Sequence, residues 1–193
     1  MAIMQKRILI PLFETLSGER ILIRHYQEDD AQAFLDAVIE SRDRLRLWDS
    51  WTDKCQTLDD ARAWLREDMA HWLLREQLQM GIWDLETEQF LGDIMLRPHS
   101  WEIPFFEIGY WLRTSAEGKG YMTEAVELLT DYALRELQAQ RVMLRIDERN
   151  KRSIAVAERS HFQREGTLRN HERAGDGTLR NMVIFALIPD DLT

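Results

Sequence analysis

The order of apolar and polar residues along the chain alternates between two periods. Apolar side chains at every second position predict a strand over residues 20–26. Spacings of three and four predict helices over residues 28–40 and 57–79. Thr57 suits the N-cap of the second helix, because two aspartates follow it in the first turn. The first third of the chain is therefore one strand followed by two amphipathic helices.

After these helices the pattern changes to that of strands. Three neighbouring strands are predicted: "MGIWDL" from Met80, "FLGDIMLRP" from Phe90 and "EIPFFEIGYWLR" from Glu102. The later segments are a helix over residues 121–137, a strand over 141–146, a short helix over 150–160, and strands over 162–170 and 178–188. The whole predicts a mixed α/β domain with a central strand-to-helix crossover.

Composition narrows the class of protein. The 193 residues, 45% hydrophobic and 31% charged, suit a single domain spanning residues 1–193. Apolar runs fall far short of the ~18 residues that a membrane span needs, and no signal peptide is evident, so a cytoplasmic location is expected. A formal net charge of -9 disfavours nucleic-acid binding and favours a cationic partner. The five histidines have no metal-type spacing, so no metal is expected.

A glycine turn stands where a strand leads into the helix that begins near Tyr121. Gly118 and Gly120 flank Lys119, and glycine lets the backbone N-H groups of a helix N-terminus approach an anion closely. A tight turn without a ligand has the same signature. Dinucleotide and P-loop motifs are excluded, because Thr123 replaces the third glycine of the first and Gly120 the Ser or Thr of the second.

Two longer segments, "EIGYWLRTSAEGKGYMTEAVELLTDYAL" and "ERNKRSIAVAERSHF", resemble the acyl-CoA N-acyltransferase superfamily known as GNAT. The opening "RILIRHYQEDDAQAFLDAV" and the segment "SRDRLRLWDSW" are most similar to the Rim-type branch, which acetylates the N-terminal amino groups of ribosomal proteins. The resemblance implies a single α+β domain with its core over about residues 19–189. It also implies a mixed, mostly antiparallel sheet of about seven strands flanked by about four helices, with acyl-CoA bound where the middle strands splay apart.

The resemblance implies a set of residues that bind acetyl-CoA. The pyrophosphate would lie on the backbone of Gly118, Lys119, Gly120, Tyr121 and Met122. Ser115 replaces the Arg or Gln that usually opens this loop, so one phosphate contact is expected to be missing. The pantetheine arm would run along the strand that ends at Leu112 and Arg113, and the N-H near Leu112 would face the developing oxyanion.

Catalytic residues are predicted on the same basis. Glu107 is a lone carboxylate in an apolar strand, where burial would make it a better proton acceptor, although an edge position facing water is the alternative. The usual family Tyr is replaced by Ala157, and in the Rim-type register Asn150 would contact the cofactor while Ser153 protonates or hydrogen-bonds the thiolate. The alternatives are a plain N-cap for Asn150 and a structural role for Ser153.

The acceptor side is predicted around Trp48 and Trp51, which would cover a peptide N-terminus or stack on a planar group; core packing or a homodimer contact is the alternative. Asp49 and Asp53 beside them suit a cationic amine. The resemblance implies direct acetyl transfer to a primary amine in a ternary complex, most simply a protein N-terminal amine. A small amine, an aminoacyl-nucleotide or an antibiotic is the second hypothesis, and a non-catalytic acyl-CoA-binding module is the third.

Overall fold

The computed structural model describes residues 6–48, 51–174 and 177–192. The strands are β1 (Thr15–Ser17), β2 (Ile21–His25), β3 (Leu78–Asp84), β4 (Phe90–Ser100), β5 (Phe105–Leu112), β6 (Arg141–Asp147), β7 (Gln163–Arg173) and β8 (Leu179–Leu187). The α-helices are α1 (Ala31–Leu45), α2 (Leu58–Leu74), α3 (Tyr121–Arg135) and α4 (Lys151–Arg159). The predicted α/β architecture and its mixed sheet are confirmed.

All eight strands form one sheet in the order β1-β2-β3-β4-β5-β6-β8-β7. Neighbouring strands are antiparallel except β5 and β6, which are parallel. The strand absent from the prediction is β1, which is too short to show an alternating pattern and is joined to β2 by a tight turn at Gly18.

The parallel strands β5 and β6 separate soon after they meet. They pair only from Phe105 with Arg141 to Glu107 with Met143. Beyond this point β5 continues to Leu112 and remains paired with β4, while β6 continues to Asp147 and remains paired with β8. A split therefore opens in the middle of the sheet, which is the splayed pair of strands that the sequence predicted.

The helices bury two apolar clusters on the two faces of the sheet. The larger joins the sheet to α3 and α4, and the smaller joins α1 and α2 to the opposite face. Strand alternation divides β5 between them: Phe106 and Ile108 belong to the first cluster, whereas Trp111 packs on the second. Within the described ranges no helix is long and apolar enough to span a membrane.

The helix boundaries follow local backbone chemistry. Thr57 caps α2 as predicted, accepting a hydrogen bond from the N-H of Asp60 at 3.2 Å. The same helix was predicted to run to residue 79 but ends at Leu74, because Arg75 adopts a left-handed conformation with φ 57°. The Arg75 guanidinium holds this end by donating to the carbonyl oxygens of Trp72 and Ile10.

Candidate active site

The glycine turn has the backbone conformation that an anion site needs. Gly118 and Gly120 have φ values of 76° and 86°, in the left-handed region that favours glycine. Gly120 is the N-cap of α3, and the Arg20 guanidinium lies beside it, 3.3 Å from the point where a Cβ on Gly120 would stand. Apart from Gly118 and its two chain neighbours, no atom of the described residues lies within 4 Å of the point where a Cβ on Gly118 would stand. The turn is thus an open concavity at a helix N-terminus, which fits a phosphate group.

Contacts within the protein hold this turn in place. The Glu40 carboxylate of α1 accepts from the N-H of Ser115 at 2.7 Å and from Nε of Arg113 at 2.8 Å. Partial burial raises the pKa of Glu40, but the bonds from Arg113 and Ser115 outweigh it and leave that pKa below its ordinary value. On the other side, the Arg20 guanidinium donates to the carbonyl oxygen of Lys119 at 2.9 Å. Contacts from α1 and from Arg20 therefore hold the backbone of the turn on both sides.

Two arginines converge beside the turn on Glu117. Arg44 of α1 lies 3.1 Å from the Glu117 carboxylate, and Arg152 of α4 donates to the same oxygen. Neither was predicted as a site residue, although Arg152 belongs to a stretch of sequence that is locally basic. Ser115 replaces the Arg or Gln that the family pattern usually places in this loop, and these two arginines bring positive charge to the same region.

The split between β5 and β6 exposes backbone donors of β5. The N-H of Arg113 donates to the carbonyl oxygen of Leu91 at 2.9 Å, toward β4. Successive N-H groups of a strand point to opposite sides, so the N-H of Leu112 points into the split. This is the orientation that the predicted oxyanion contact requires.

The first turn of α4 borders the same split. Asn150 is the N-cap of α4, and its Oδ1 accepts from the N-H of Ser153 at 3.2 Å. The Tyr110 hydroxyl of β5 donates to the carbonyl oxygen of Ser153 at 3.3 Å, and burial raises the pKa of Tyr110 well above its ordinary value. Ala157, at the position of the usual family Tyr, is fully buried.

A cavity of about 440 Å³ passes through this region. Its wall includes four predicted site residues, Trp48, Trp51, Asn150 and Ser153. Residues of β5 and β6 from both sides of the split also line it, so one cavity joins the α4 side of the sheet to the α1 and α2 side. The structure therefore brings the predicted thiolate residue and the predicted acceptor residues into one space.

Glu107 is buried as predicted, with 6% of its surface exposed, but its carboxylate does not line the cavity. One oxygen lies 3.2 Å from the guanidinium of Arg145, and the other accepts from Nε2 of His99 at 2.8 Å. Arg145 does line the cavity. Glu107 is therefore connected to the cavity through Arg145. Its burial shows that the alternative, an edge position facing water, is wrong.

Beyond Arg145 the cavity wall contains charged residues that the sequence did not single out. Arg145 lies 3.2 Å from Glu172 of β7, and Glu172 also pairs with Arg180 of β8 at 3.3 Å. Arg180 is 3.9 Å from Asp147, which closes the network. Arg145 and Asp147 are on β6, and only the pairing of this strand with β8, and of β8 with β7, brings Arg180 and Glu172 to them.

The opposite end of the cavity is aromatic. Trp51 lies 6.1 Å from Phe34, 5.1 Å from Trp64 and 5.8 Å from Trp111 between ring centroids, and all four rings line the cavity. The sequence left two roles open for Trp51, core packing and the acceptor side of the site. Trp51 packs on a core cluster and also forms part of the cavity wall, so its position is compatible with both.

Two acidic residues were predicted beside the tryptophans, and the structure describes one of them. Asp49 lies outside the described residues. Asp53 does not line the cavity and pairs with Arg46 at 2.5 Å on the surface, and its contact with a cationic amine stays a prediction. Among the described residues, the carboxylate that lines the aromatic end is Asp93 of β4, whose only sequence signal was its isolation within the apolar run "FLGDIML".

Comparison with known proteins agrees with this geometry. Residues 20–163 match the family described as Acetyltransferase (GNAT) domain. The chain is 29% identical over 178 residues to Probable N-acetyltransferase YjcK of Bacillus subtilis (strain 168), covering 91% of this chain and 98% of that protein. It is 25% identical over 185 residues to [Ribosomal protein uS5]-alanine N-acetyltransferase of Escherichia coli (strain K12), covering 92% of each.

Among solved structures, the fold is similar to that of RimL, a ribosomal L7/L12 alpha-N-protein acetyltransferase in complex with coenzyme A. The TM-score is 0.84 at 20% sequence identity, covering 92% of this chain and 99% of that one. At this level of identity the likeness concerns the fold. The family match, which includes the split strands, the glycine turn and the start of α4, shows that this chain belongs to the GNAT acetyltransferases.

Proposed function

We propose that this N-acetyltransferase uses acetyl-CoA to acetylate the N-terminal α-amino group of a ribosomal or other protein, by direct transfer in a ternary complex. The observation that carries the proposal is the single cavity through the β5-β6 split, with Asn150 and Ser153 at one end and Trp48 and Trp51 at the other. Such a cavity gives two substrates access to one point from opposite faces of the sheet.

The residues around the split divide the binding of acetyl-CoA among them. Backbone N-H groups from Gly118 to Met122 would hold the pyrophosphate, with Lys119 adding charge. The edge of β5 up to Leu112 and Arg113 would pair with the pantetheine arm, and Asn150 would contact the same arm. When bound, acetyl-CoA supplies an activated acetyl thioester.

The protein's own groups would then move protons and stabilise charge. Glu107 takes a proton from the acceptor ammonium through water, while Arg145 and His99 keep its carboxylate in place. The N-H of Leu112 donates to the oxygen on which negative charge develops. As the carbon-sulfur bond breaks, the Ser153 hydroxyl donates to the departing sulfur, which leaves as the free thiol. The nitrogen loses two protons in total, one to Glu107 and one that replaces the Ser153 proton.

The choice of a protein N-terminus as acceptor is supported by relatives and structural neighbours whose names specify ribosomal-protein acetylation. The cavity volume of about 440 Å³ supports a second candidate, a small amine, because it falls within the range of sites that enclose small ligands. In either case the reacting group is a primary amine.

Release of free coenzyme A tests the proposal. The enzyme is incubated with acetyl-CoA and either N-terminal peptides of ribosomal proteins or a panel of small amines, using wild type, Glu107→Gln and Ser153→Ala. Peptide-dependent release that falls at least ten-fold in Glu107→Gln is expected, since a positioned base typically contributes about 10²–10⁴-fold. Release with small amines alone would favour the second candidate, and binding of acetyl-CoA without turnover on any acceptor would refute both.

A further inference from the structure

A line of polar side chains crosses the sheet side of the cavity at its aromatic end. The Arg97 guanidinium donates to Oε1 of Gln77 at 3.2 Å, and the Gln77 amide donates to Oε1 of Gln79 at 2.9 Å. Gln79 in turn donates to one oxygen of Asp93, and the Tyr26 hydroxyl donates to the other at 2.6 Å. Arg97, both glutamines and Asp93 line the cavity.

Asp93 is a buried carboxylate without a cation. Only 2% of its surface is exposed, and within the described ranges no Lys, Arg or His forms an ion pair with it. Burial raises the pKa of Asp93 to about 7, although the bonds from Tyr26 and Gln79 act in the opposite direction. A carboxylate kept in an apolar wall with two neutral donors gains most from a positive charge that arrives with a ligand.

The walls around Asp93 suit such a charge. Trp51, Trp64 and Trp111 line this end of the cavity, and aromatic faces attract ammonium and guanidinium groups by about 0.5–2 kcal/mol each. Among the described residues, the titratable groups that interact with Asp93 are Tyr26 and Asp68, and neither brings a positive charge. The nearest cation along the polar line is Arg97, and Gln77 and Gln79 stand between it and Asp93.

This subsite lies apart from the point of acetyl transfer. Asp93 is on β4 opposite Trp111 of β5, and its carboxylate turns toward Gln79 of β3, away from the split. Adjacent strands are about 4.8 Å apart, so the carboxylate lies roughly 10 Å from the split between β5 and β6. An ammonium group held at Asp93 is therefore too far from the split to be the amine that reacts.

We propose that the aromatic end of the cavity, with Asp93 as its anionic group, recognises a second positively charged group of the acceptor, about 10 Å from the amine that is acetylated. The acceptor is thus a dication: a peptide with Lys or Arg close to its N-terminus, or a polyamine. This inference rests on the proposed function, since it takes the cavity to be the acceptor site, and it narrows the class of amine.

Binding of matched ligands without turnover tests the proposal. Isothermal titration with coenzyme A present compares the tripeptide amide Ala-Lys-Ala with the same peptide carrying norleucine, the neutral analogue of lysine. A second arm compares the dication 1,6-diaminohexane with hexylamine, which has the same chain and one charge fewer. In wild type above pH 7 the dicationic ligand of at least one pair should bind about ten- to hundred-fold more tightly, the value of a hydrogen-bonded charge. The pair that shows the preference identifies the acceptor as peptide or polyamine.

Three variants distinguish the effect of the Asp93 carboxylate from that of its surroundings. Asp93→Asn should reduce the preference to less than three-fold, and so should lowering the pH well below 7, where Asp93 is protonated. Asp68→Asn removes another buried carboxylate that does not line the cavity, and it should leave the preference intact. Tyr26→Phe removes a bond that lowers the pKa of Asp93, so the pH below which the preference is lost should rise, and this shift gives a second reading if Asp93→Asn folds poorly.

The outcomes distinguish this inference from the proposed function. Equal binding within both pairs, or a preference that survives in Asp93→Asn, would overturn the subsite even if coenzyme A is still released from acceptors. A preference that depends on Asp93 would uphold the subsite even if no acetyl transfer occurs, in which case the proposed reaction would be wrong.

Discussion

Asn150 offers a prediction that separates structure from function at a single position. Its Oδ1 caps α4 by accepting from the N-H of Ser153, and the residue also lines the cavity. Asn150→Ala removes both the cap and the amide, whereas Asn150→Asp keeps an acceptor oxygen for the cap and loses the N-H donor. The two variants therefore share the loss of a cofactor donor and differ in the loss of the cap.

The expected magnitudes follow from these contacts. Loss of an N-cap costs about 1 kcal/mol, which lowers the melting temperature of a domain of this size by about 2–4 °C. Asn150→Ala should show this loss, and Asn150→Asp should melt within about 1 °C of wild type, since Asp caps about as well as Asn. A lost hydrogen bond of about 0.5–1.5 kcal/mol weakens coenzyme A binding roughly two- to ten-fold in both variants.

Calorimetric melting and titration with coenzyme A measure the two effects separately. The reasoning is refuted if Asn150→Asp binds coenzyme A as tightly as wild type, because Asn150 would then be a plain N-cap. A variant that loses affinity only in proportion to its loss of stability would point to the same conclusion.

Three further predictions concern charge and backbone strain. Glu117→Gln removes a carboxylate beside the glycine turn and releases Arg44 and Arg152 from their ion pairs with it. Coenzyme A should therefore bind about three- to five-fold more tightly, as measured by titration. The control variant Glu136→Gln, at the far end of α3, should leave the affinity unchanged. His161 has a φ of 64°, in the left-handed region that favours glycine, so His161→Gly should raise the free energy of unfolding in urea by about 0.5–1 kcal/mol. Arg75 has a similar φ, but Arg75→Gly should lower the free energy of unfolding, because it removes the hydrogen bonds of the guanidinium. Burial raises the pKa of Asp68 to about 8, above the ~3.9 of an unfolded chain, so its protonated form stabilises the fold and this contribution is lost as pH rises toward 8. Asp68→Asn should accordingly gain stability relative to wild type between about pH 4 and pH 8, by on the order of a few kcal/mol, and a constant difference across that range would contradict the reasoning.

The architecture could be predicted because its signals are local. Alternation marks a strand such as β5, helical spacing marks α3, and Thr57 shows its cap from the residues that follow it. The end of α2 could not be predicted, since apolar residues continue beyond the point where Arg75 turns the backbone. The three residues of β1 become a strand only because β2 is available to pair with them.

The candidate site likewise contains some residues that the sequence could locate and others that it could not. The glycine turn, Asn150 and Ser153 stand in motifs whose spacing is fixed within one loop or one helical turn, so sequence could locate them. Asp93 becomes part of the cavity wall only because residues of α1 and α2 form the facing wall. The partners of Glu107 come from two other strands, His99 from β4 and Arg145 from β6. Such long-range pairings have no periodic signature in the chain.

The position of the acetyl group on the product tests the central claim most directly. The enzyme is incubated with acetyl-CoA and a ribosomal-protein N-terminal peptide that has a free α-amine and an internal lysine, and the product is fragmented by mass spectrometry. We predict one acetyl group, on the α-nitrogen, with its formation greatly slowed in Glu107→Gln. Acetylation of the lysine side chain, or no acetylation of any N-terminal peptide while coenzyme A binds normally, would contradict the account.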